Sequence, residues 1–419
     1  MVALVLGRYL LLMGLLLAGT CGAAPPLQHV SSSEATRVHG ITAIYNFGDS
    51  ISDTGNLLRE GDTGLLNYTA ELPYGVTIGR PTGRCSDGYL MIDFLAKDLG
   101  LPLLNPYLDR RADFTHGVNF AVGGATALTT AALGRRGITV PHTNSSLEVQ
   151  LAWFKEFMRS TTNNRPREIR KKLACSLVMM GEIGGNDYNY AFLQPRPTNG
   201  RYDAVSNATR MAESMALALA LVPQVVRSIT HAAKLLHIKT SQEVLDMGAR
   251  KMVIPGNFPI GCMPSYLSSA SPTTTSSSSY DGYGCLVSFN LVARAHNACL
   301  RRAVGKLRRS YPRAMVAYAD YYAAYLDILG NAPRFGFQGG KASRTACCGA
   351  GGAYNFVSGR LCGAPGTAVC ADPGGRVSWD GIHMTQHAYG VMAELLYRGG
   401  LACPVPVKLP RHKDCAHRQ

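Results

Sequence analysis

The chain is poor in acidic residues and in charge generally. Only 27 of its 419 residues are Asp or Glu, against 42 Lys and Arg, and charged residues make up 16% of the total. With 46% hydrophobic residues, this is not the composition of a disordered protein, so we expect a globular fold over most of the length. The formal charge of +15 suits contact with acidic polysaccharides or anionic surfaces.

Beyond its first residues the chain lacks an apolar run long enough to cross a membrane. Residues 1–24 carry a lone Arg8, an apolar stretch and then small residues, which is typical of a cleaved secretory signal. An uncleaved signal anchor is the alternative, but the run is shorter than the ~20 residues of a span. The apolar segment 215–226 contains Pro223 and is expected to be a buried helix. We therefore predict no stable membrane span after signal cleavage. We expect the protein to reside in the Golgi lumen, the cell wall or the extracellular space. Nucleic acid is not an expected partner.

Metal-binding patterns are also lacking. The cysteines at 347, 348, 362 and 370 include no Cys-x-x-Cys pair and no spaced histidine. His383 and His387 are four apart, but Met384 stands where a His-Glu-x-x-His helix has its glutamate. We expect neither a metal nor an organic cofactor.

Cysteine usage and sequons indicate an oxidising compartment. Eleven of the 12 cysteines lie beyond the signal, so several should pair as disulfides, although the spacing does not give the connectivity. N-glycosylation acceptor sequences occur at three positions, Asn67, Asn144 and Asn207.

Strand and helix patterns alternate along the chain. Buried-strand patterns cover residues 42–47, 117–122, 177–180, 251–255 and 314–320, and helical patterns lie between them at 90–99, 147–158 and 212–236. This alternation predicts an α/β fold with a mainly parallel sheet between helices. We expect a linker at 25–40, one domain at 41–400 with a mobile Ser/Thr-rich loop at 268–279, and a basic tail at 401–419.

The first strand pattern stops abruptly at Gly48-Asp49-Ser50. Ligand crevices open at the carboxyl ends of parallel strands, so this is where a nucleophilic serine would stand. Gly48 permits a sharp turn, Asp49 can accept hydrogen bonds from the turn's amides, and the Ser50 hydroxyl should be exposed at the rim. The same three residue types also make ordinary strand-ending turns, so other positions must decide.

Two later strand ends carry groups suited to acyl transfer. After the second strand, Gly123 can bring a backbone amide close to a carbonyl oxygen. After the third, glycines flank Asn186, which could direct its side-chain amide into the crevice. Each residue could instead have a purely structural role, because glycines often begin helices and asparagines often occupy turns.

Near the carboxyl end, Asp380 precedes His383 by three residues. A carboxylate at that spacing can fix the tautomer of the imidazole while the opposite ring nitrogen faces Ser50. Alone, such a pair is more often a structural hydrogen bond. An α/β-hydrolase elbow fits poorly, because residue 52 is Ser where Gly-x-Ser-x-Gly has its second glycine.

Taken together, four ordered blocks resemble the GDSL (SGNH) hydrolases, specifically the secreted plant-type GDSL esterase/lipases, over about residues 41–399. The blocks are 48–56, 119–124, 184–187 and 380–383, and the departure is Ile51 where the family name has leucine. The resemblance implies a three-layer α/β/α, flavodoxin-like fold. It also implies Ser50 as nucleophile, His383 as general base and Asp380 as its orienting carboxylate, with oxyanion donors from Ser50, Gly123 and Asn186.

The function so implied is a serine esterase of the secretory pathway with an acylated small-molecule or polysaccharide substrate. Secretion and basic charge favour O-acetyl groups of a cell-wall polysaccharide such as xylan. The alternatives are lipid or phenolic esters, acyl transfer to a sugar hydroxyl, or a non-catalytic polysaccharide-binding protein. The sequence leaves open the acyl group, the alcohol and the oligomeric state.

Overall fold

The computed structural model describes residues 40–61, 64–193, 231–269 and 279–404. The predicted signal segment, most of the linker, Asn207 and the predicted helix before residue 231 lie outside these ranges. So do most of the Ser/Thr-rich loop and the basic tail beyond residue 404. Among the helices of the described ranges, none combines the length and apolar character needed to cross a bilayer.

A six-stranded sheet forms the centre of the fold. Its strands are β1 Ala43–Asn46, β2 Gly117–Asn119, β3 Ser176–Met179, β4 Lys251–Pro255, β5 Met315–Ala319 and β8 Ala402–Cys403. Their order is β2-β1-β3-β4-β5-β8, with β8 antiparallel to β5 and the other neighbours parallel. The first five follow the 2-1-3-4-5 order of flavodoxin-like sheets. The predicted α/β fold is confirmed, and all five predicted strands are present.

Helices cover both faces of this sheet. They are α1 Met91–Asp98, α2 Thr130–Gly134, α3 Leu147–Thr161, α4 Pro166–Ala174, α5 Gly185–Phe192, α6 with its described part at 231–246, α7 Pro264–Ser269, α8 Val287–Ser310, α9 Tyr321–Gly330 and α10 Gln386–Ala393. A π-helical turn, Glu394–Arg398, continues α10.

Alternate strand residues pack into two separate cores. On β1, Ile44 belongs to one buried cluster and Tyr45 to the other, and on β4 Val253 and Met252 divide in the same way. Successive side chains of a strand point to opposite faces, so the sheet is buried on both sides. This explains why the strand patterns are continuously apolar, and it gives the layered arrangement expected from the sequence.

Three disulfides join described cysteines, Cys262–Cys285, Cys347–Cys370 and Cys348–Cys362. The prediction that several cysteines pair is therefore confirmed, and the structure supplies the connectivity of these six. The last two bonds staple a small two-stranded sheet, β6 Cys348–Gly349 with β7 Ala368–Val369, which lies beside the loop that contains residues 378–383.

The carboxyl ends of β1, β2 and β3 meet where the strand order reverses. From β1 the chain runs to Ser50, from β2 to Gly123 and from β3 to Asn186. A crevice at such a reversal point is the common ligand site of doubly wound sheets. The topology therefore gathers the sequence-predicted residues at one edge.

An aromatic cluster packs under the Ser50 strand. Phe154 is fully buried, and its ring lies 5.7 Å from Tyr45, 5.4 Å from Phe47 and 5.8 Å from Phe120, measured between centroids. We predict that Phe154→Ala lowers the free energy of unfolding by about 3–5 kcal/mol, because it removes transfer energy and leaves a cavity. The measurement is urea denaturation with the disulfides intact. Leu291→Ala, at a side chain 54% exposed, serves as control and should change the stability by less than about 0.5 kcal/mol. A loss below about 1 kcal/mol at Phe154 would contradict its place in the core.

Candidate active site

The Ser50 turn depends on a glycine and two side chains. Gly48 has φ +143°, and a Cβ there would lie 2.8 Å from Ser52 Oγ, so a side chain is excluded both by conformation and by space. Gln150 holds this glycine from both sides, accepting from its N–H at 2.9 Å and donating to its carbonyl at 2.8 Å. Asp49 Oδ1 accepts from the Ile51 N–H at 3.0 Å, as the sequence predicted.

Ser50 is not exposed at the rim. Its relative exposure is 6%, because the loop containing His383 covers it, and its side chain lines a small cavity. The prediction of an exposed hydroxyl is therefore wrong, since sequence alone did not show that a segment more than 300 residues away closes over the turn.

The structure brings Ser50, His383 and Asp380 into one hydrogen-bonded chain. His383 Nε2 lies 2.7 Å from Ser50 Oγ, and Nδ1 lies 2.6 Å from Asp380 Oδ2. Asp380 Oδ1 accepts from the backbone N–H groups of Ile382 at 3.0 Å and His383 at 2.8 Å. With a proton on Nδ1, the other ring nitrogen can accept the serine proton, which is the geometry of a base-activated nucleophile.

Charge is stabilised inside this buried site. Burial by itself lowers the pKa of an imidazole, but the Asp380 carboxylate and the neighbouring Cys85 thiol raise it, and the pKa of His383 lies well above 6.5. For Asp380, burial acts to raise the pKa, while the charge of His383 and the hydrogen bonds lower it below its usual value. The pair therefore favours an ionised carboxylate beside a protonatable ring.

The three predicted oxyanion donors are in different situations. Among the described residues the Ser50 N–H has no acceptor. Asn186 Nδ2 lies 3.0 Å from the Ala125 carbonyl and 3.5 Å from Asp49 Oδ2. The Gly123 N–H instead donates to Asp53 Oδ2 at 2.8 Å, so an oxyanion could use it only if that bond opened or were shared.

Comparison with known proteins agrees with this geometry. The family model described as GDSL-like Lipase/Acylhydrolase matches residues 44–396. A GDSL esterase/lipase of Arabidopsis thaliana is 42% identical over 375 residues, 89% of this chain and 88% of the relative. Acetylajmalan esterase 2 of Rauvolfia serpentina is 39% identical over 367 residues, 87% of this chain and 92% of the relative.

The chain belongs to the GDSL lipase/acylhydrolase family. It is a GDSL-type serine esterase, as the motif blocks predicted.

A tyrosine that the motifs did not reveal completes the hydrogen bonding of Asp380 in this esterase. Tyr74 is buried, and its hydroxyl donates to Asp380 Oδ2 at 2.8 Å, the same oxygen that contacts His383. Its ring packs edge-on against Trp379 at 6.0 Å. Tyr74 lies 306 residues from Asp380 and outside the four motif blocks, so no local pattern could have identified it.

The disulfide-stapled segment fixes the loop that holds Asp380. Cys347 N donates to the Ser378 carbonyl at 2.9 Å, and Cys348 N donates to the Trp379 carbonyl at 2.7 Å. Trp379 N in turn donates to the His383 carbonyl at 2.8 Å. The cysteines that resembled a metal cluster therefore act as staples behind the site. His387, the other candidate ligand, contacts the Gly374 carbonyl through Nδ1 at 2.6 Å.

The cavity beside Ser50 has a volume of about 40 Å³. Its walls combine polar and apolar side chains. They include Glu182, Asn186, Asn257, Phe258, Met263 and Ile382. At roughly 10–15 Å³ for each enclosed water, this space holds about three heavy atoms.

Two buried acids line the same cavity. Burial raises the pKa of Asp49 well above its usual value, with a further contribution from the charge of Glu182. Burial also raises the pKa of Glu182, which hydrogen-bonds to the Tyr321 hydroxyl. Both carboxyl groups are thus shifted towards the neutral form, so the cavity carries less negative charge than its residue types suggest.

Two of the three predicted glycosylation asparagines can be located. Asn67 and Asn144 are both exposed, which is compatible with modification but does not demonstrate it. Their glycosylation stays a prediction.

We predict that Tyr74→Phe lowers kcat about tenfold with little change in KM, because a hydrogen bond to a charged carboxylate is worth about 1.5–3 kcal/mol. The acid limb of the pH profile should also move to higher pH, since Asp380 then interacts more strongly with the His383 proton. Steady-state kinetics on a small ester across pH provide the measurement. Tyr318→Phe is the matched control, because that buried hydroxyl has no partner in the described part of the chain. Unchanged kcat and pH profile in Tyr74→Phe would refute the positioning role.

The pH dependence of kcat/KM should report the raised pKa of His383. The imidazole must be neutral to accept the serine proton, so activity should rise with pH through a midpoint above 6.5. Asp380→Asn should move that midpoint down, because the carboxylate that holds the proton is lost, and should lower kcat by about 10⁴-fold. A midpoint in the wild type below 6.5 would show that burial outweighs Asp380 in setting the pKa.

Proposed function

We propose that this protein is a secreted serine acetylesterase in which Ser50 is the nucleophile, His383 the general base and Asp380 the orienting carboxylate. The observation that carries the proposal is the continuous contact from Ser50 Oγ through both ring nitrogens of His383 to Asp380, at 2.7 and 2.6 Å. That contact is what transfer of the serine proton requires.

The proposed reaction has two halves. Ser50 Oγ attacks the ester carbonyl as His383 Nε2 takes the hydroxyl proton, and the tetrahedral intermediate collapses when His383 returns that proton to the leaving alcohol. A water molecule, deprotonated by His383, then attacks the acyl-serine, and the second intermediate collapses as His383 returns the proton to Ser50 Oγ and the acid leaves. Asp380 stays ionised throughout and stabilises the imidazolium.

The oxyanion of each intermediate requires fixed donors. In this proposal the Ser50 N–H supplies one donor, and the Asn186 side-chain amide supplies the other by giving up its long 3.5 Å contact with Asp49 Oδ2. Gly123 takes part only after its N–H leaves Asp53. Loss of one such donor typically lowers the rate by about 10²- to 10³-fold.

The size of the cavity supports a short acyl group. An acetyl group has three heavy atoms, which matches the space of about 40 Å³ beside Ser50. Sites for larger ligands enclose about 300–1,000 Å³. A long fatty acyl chain would exceed this volume, so it would have to extend out of the cavity or displace side chains such as Phe258 and Met263, and the geometry favours a short acyl group over a fatty one.

Two classes of alcohol are candidates for the leaving group of the ester. The secretory signal pattern, the disulfides and the exposed sequon asparagines support a substrate met in the secretory pathway or outside the cell, such as O-acetylated xylan. Relatives that are 39% identical are named acetylajmalan esterases, which favours the acetyl ester of a small molecule. Both classes share the acetyl group.

The test is acetate release by the purified protein. Wild type should hydrolyse 4-nitrophenyl acetate with kcat/KM about 100-fold above that for the octanoate, because an extended chain does not fit the cavity. Ser50→Ala should lower kcat on the order of 10⁶-fold. Ser265→Ala is the matched control, since that buried hydroxyl lacks a partner among the described residues.

Acetylated xylan and an acetylated small alcohol, assayed in parallel, decide between the alcohols. Release from the small ester alone would remove the polysaccharide from the proposal. Preference for octanoate would overturn the acetyl assignment, and activity that survives Ser50→Ala would overturn the mechanism. Transfer of acetyl to an added sugar in preference to water would identify an acyltransferase.

A further inference from the structure

Three neighbouring strands bring basic segments together at the edge of the sheet away from Ser50. In β3, β4 and β5 the register pairs Val178 with Met252 and Lys251 with Met315. The residues that precede these strands therefore lie side by side at the amino edge, since paired strands are about 4.8 Å apart.

Direct contacts join these segments. Met315 N donates to the Arg250 carbonyl at 2.8 Å, and Lys251 Nζ donates to the Ala174 carbonyl at 3.1 Å. A Cβ at Gly248 would lie 2.9 Å from the Arg170 Cα, so the end of α4 packs closely on the turn before β4. Clusters that are scattered in the sequence thus form one surface.

We call this surface the amino-edge patch. Its members are exposed cations on α4, in the last turn of α8 and in the segments that precede β4 and β5. They are Arg170, Lys171, Arg250, Arg309 and Arg313.

Little negative charge balances the patch. Across the described ranges, Lys171 is its only member in an ion pair, with Glu168 at a long 3.8 Å. The nearby Asp246 carboxylate accepts from the Tyr311 hydroxyl at 2.7 Å. Cations at helix carboxyl ends are favoured by the helix dipole, which explains Lys171 and Arg309. That effect does not explain Arg250 or Arg313, which lie outside helices.

The types of side chain in the patch favour one class of anionic partner over another. A protein that binds a membrane surface combines cations with apolar side chains that insert among the lipids. The large exposed hydrophobic side chains of the described ranges are Leu72, Val76, Leu235, Tyr283, Leu291 and Val369. None of them lies on α4, in the turns before β4 and β5 or in the last turn of α8. Four of the five cations are arginines, whose planar guanidinium groups bind carboxylates in a bidentate manner.

We propose that the amino-edge patch binds an acidic polysaccharide through its carboxylate groups. β3, β4 and β5 have four or five residues, so along the strand direction the patch lies roughly 13–17 Å from the edge that contains Ser50. A bound polymer therefore leaves the cavity open, and the enzyme can act while it is attached. This binding does not depend on which ester the enzyme hydrolyses.

The experiment measures binding of the mature protein to immobilised polygalacturonate by surface plasmon resonance at about 50 mM and about 300 mM NaCl. The test variant is Arg170→Glu with Arg250→Glu and Arg313→Glu. The matched control reverses three exposed cations elsewhere, Arg80→Glu with Arg135→Glu and Lys341→Glu, and changes the net charge equally. Thermal unfolding and 4-nitrophenyl acetate hydrolysis verify that both variants are folded.

We expect the patch variant to bind about tenfold or more weakly at low salt and the control within about threefold of wild type. Saturating polymer should leave hydrolysis of the small ester unchanged. Equal weakening in both variants would show that net charge alone acts. Absence of wild-type binding, inhibition of hydrolysis by the polymer, or tighter binding to phosphatidylserine vesicles than to polygalacturonate would each overturn the proposal.

Discussion

The site depends on contact between residues 333 positions apart, Ser50 Oγ and His383 Nε2, at 2.7 Å. Ser50 follows β1, and His383 lies in the loop before α10. The contact forms only if β1 lies at the centre of the sheet and the carboxyl-terminal loop folds over its end. Strand order provides the first condition. Backbone hydrogen bonds from the disulfide-linked Cys347 and Cys348 to the loop provide the second.

Burial of this contact has an electrostatic cost that its neighbours offset. An ionised Asp380 removed from water is unfavourable unless its oxygens are satisfied. The Asp380 oxygens accept hydrogen bonds from two backbone N–H groups, from the His383 ring and from the Tyr74 hydroxyl. Asp49 and Glu182 behave differently, because burial outweighs their hydrogen bonds and raises the pKa of each carboxyl group. The charge of the neighbouring His383 ring therefore distinguishes Asp380 from the two acids that line the cavity.

Sequence reasoning succeeded where the signal is local. Continuous apolar runs predicted five strands, β4 at 251–255 among them, and spacing predicted that Asp380 could reach His383. It failed where the decisive partner is remote. Four features depend on how segments that are distant in the sequence pack together, and no local sequence pattern shows that packing. They are the burial of Ser50, the hydrogen bond from Tyr74, the acceptor of the Gly123 N–H and the pairing of the cysteines. The family resemblance named the candidate site residues but not the groups that hold them.

The two parts of an ester are recognised by different kinds of surface, which explains why the substrate is harder to infer than the reaction. In the proposed reaction the acyl group enters the small cavity beside Ser50, whose walls include packed side chains such as Phe258 and Met263. The alcohol would then lie outside this cavity, in contact with exposed residues that the fold does not constrain. A packed wall limits acyl size whatever the alcohol, so relatives with one mechanism and one acyl preference can differ in the alcohol they release. Acyl choice is therefore a property of the core, whereas alcohol choice is a property of the surface.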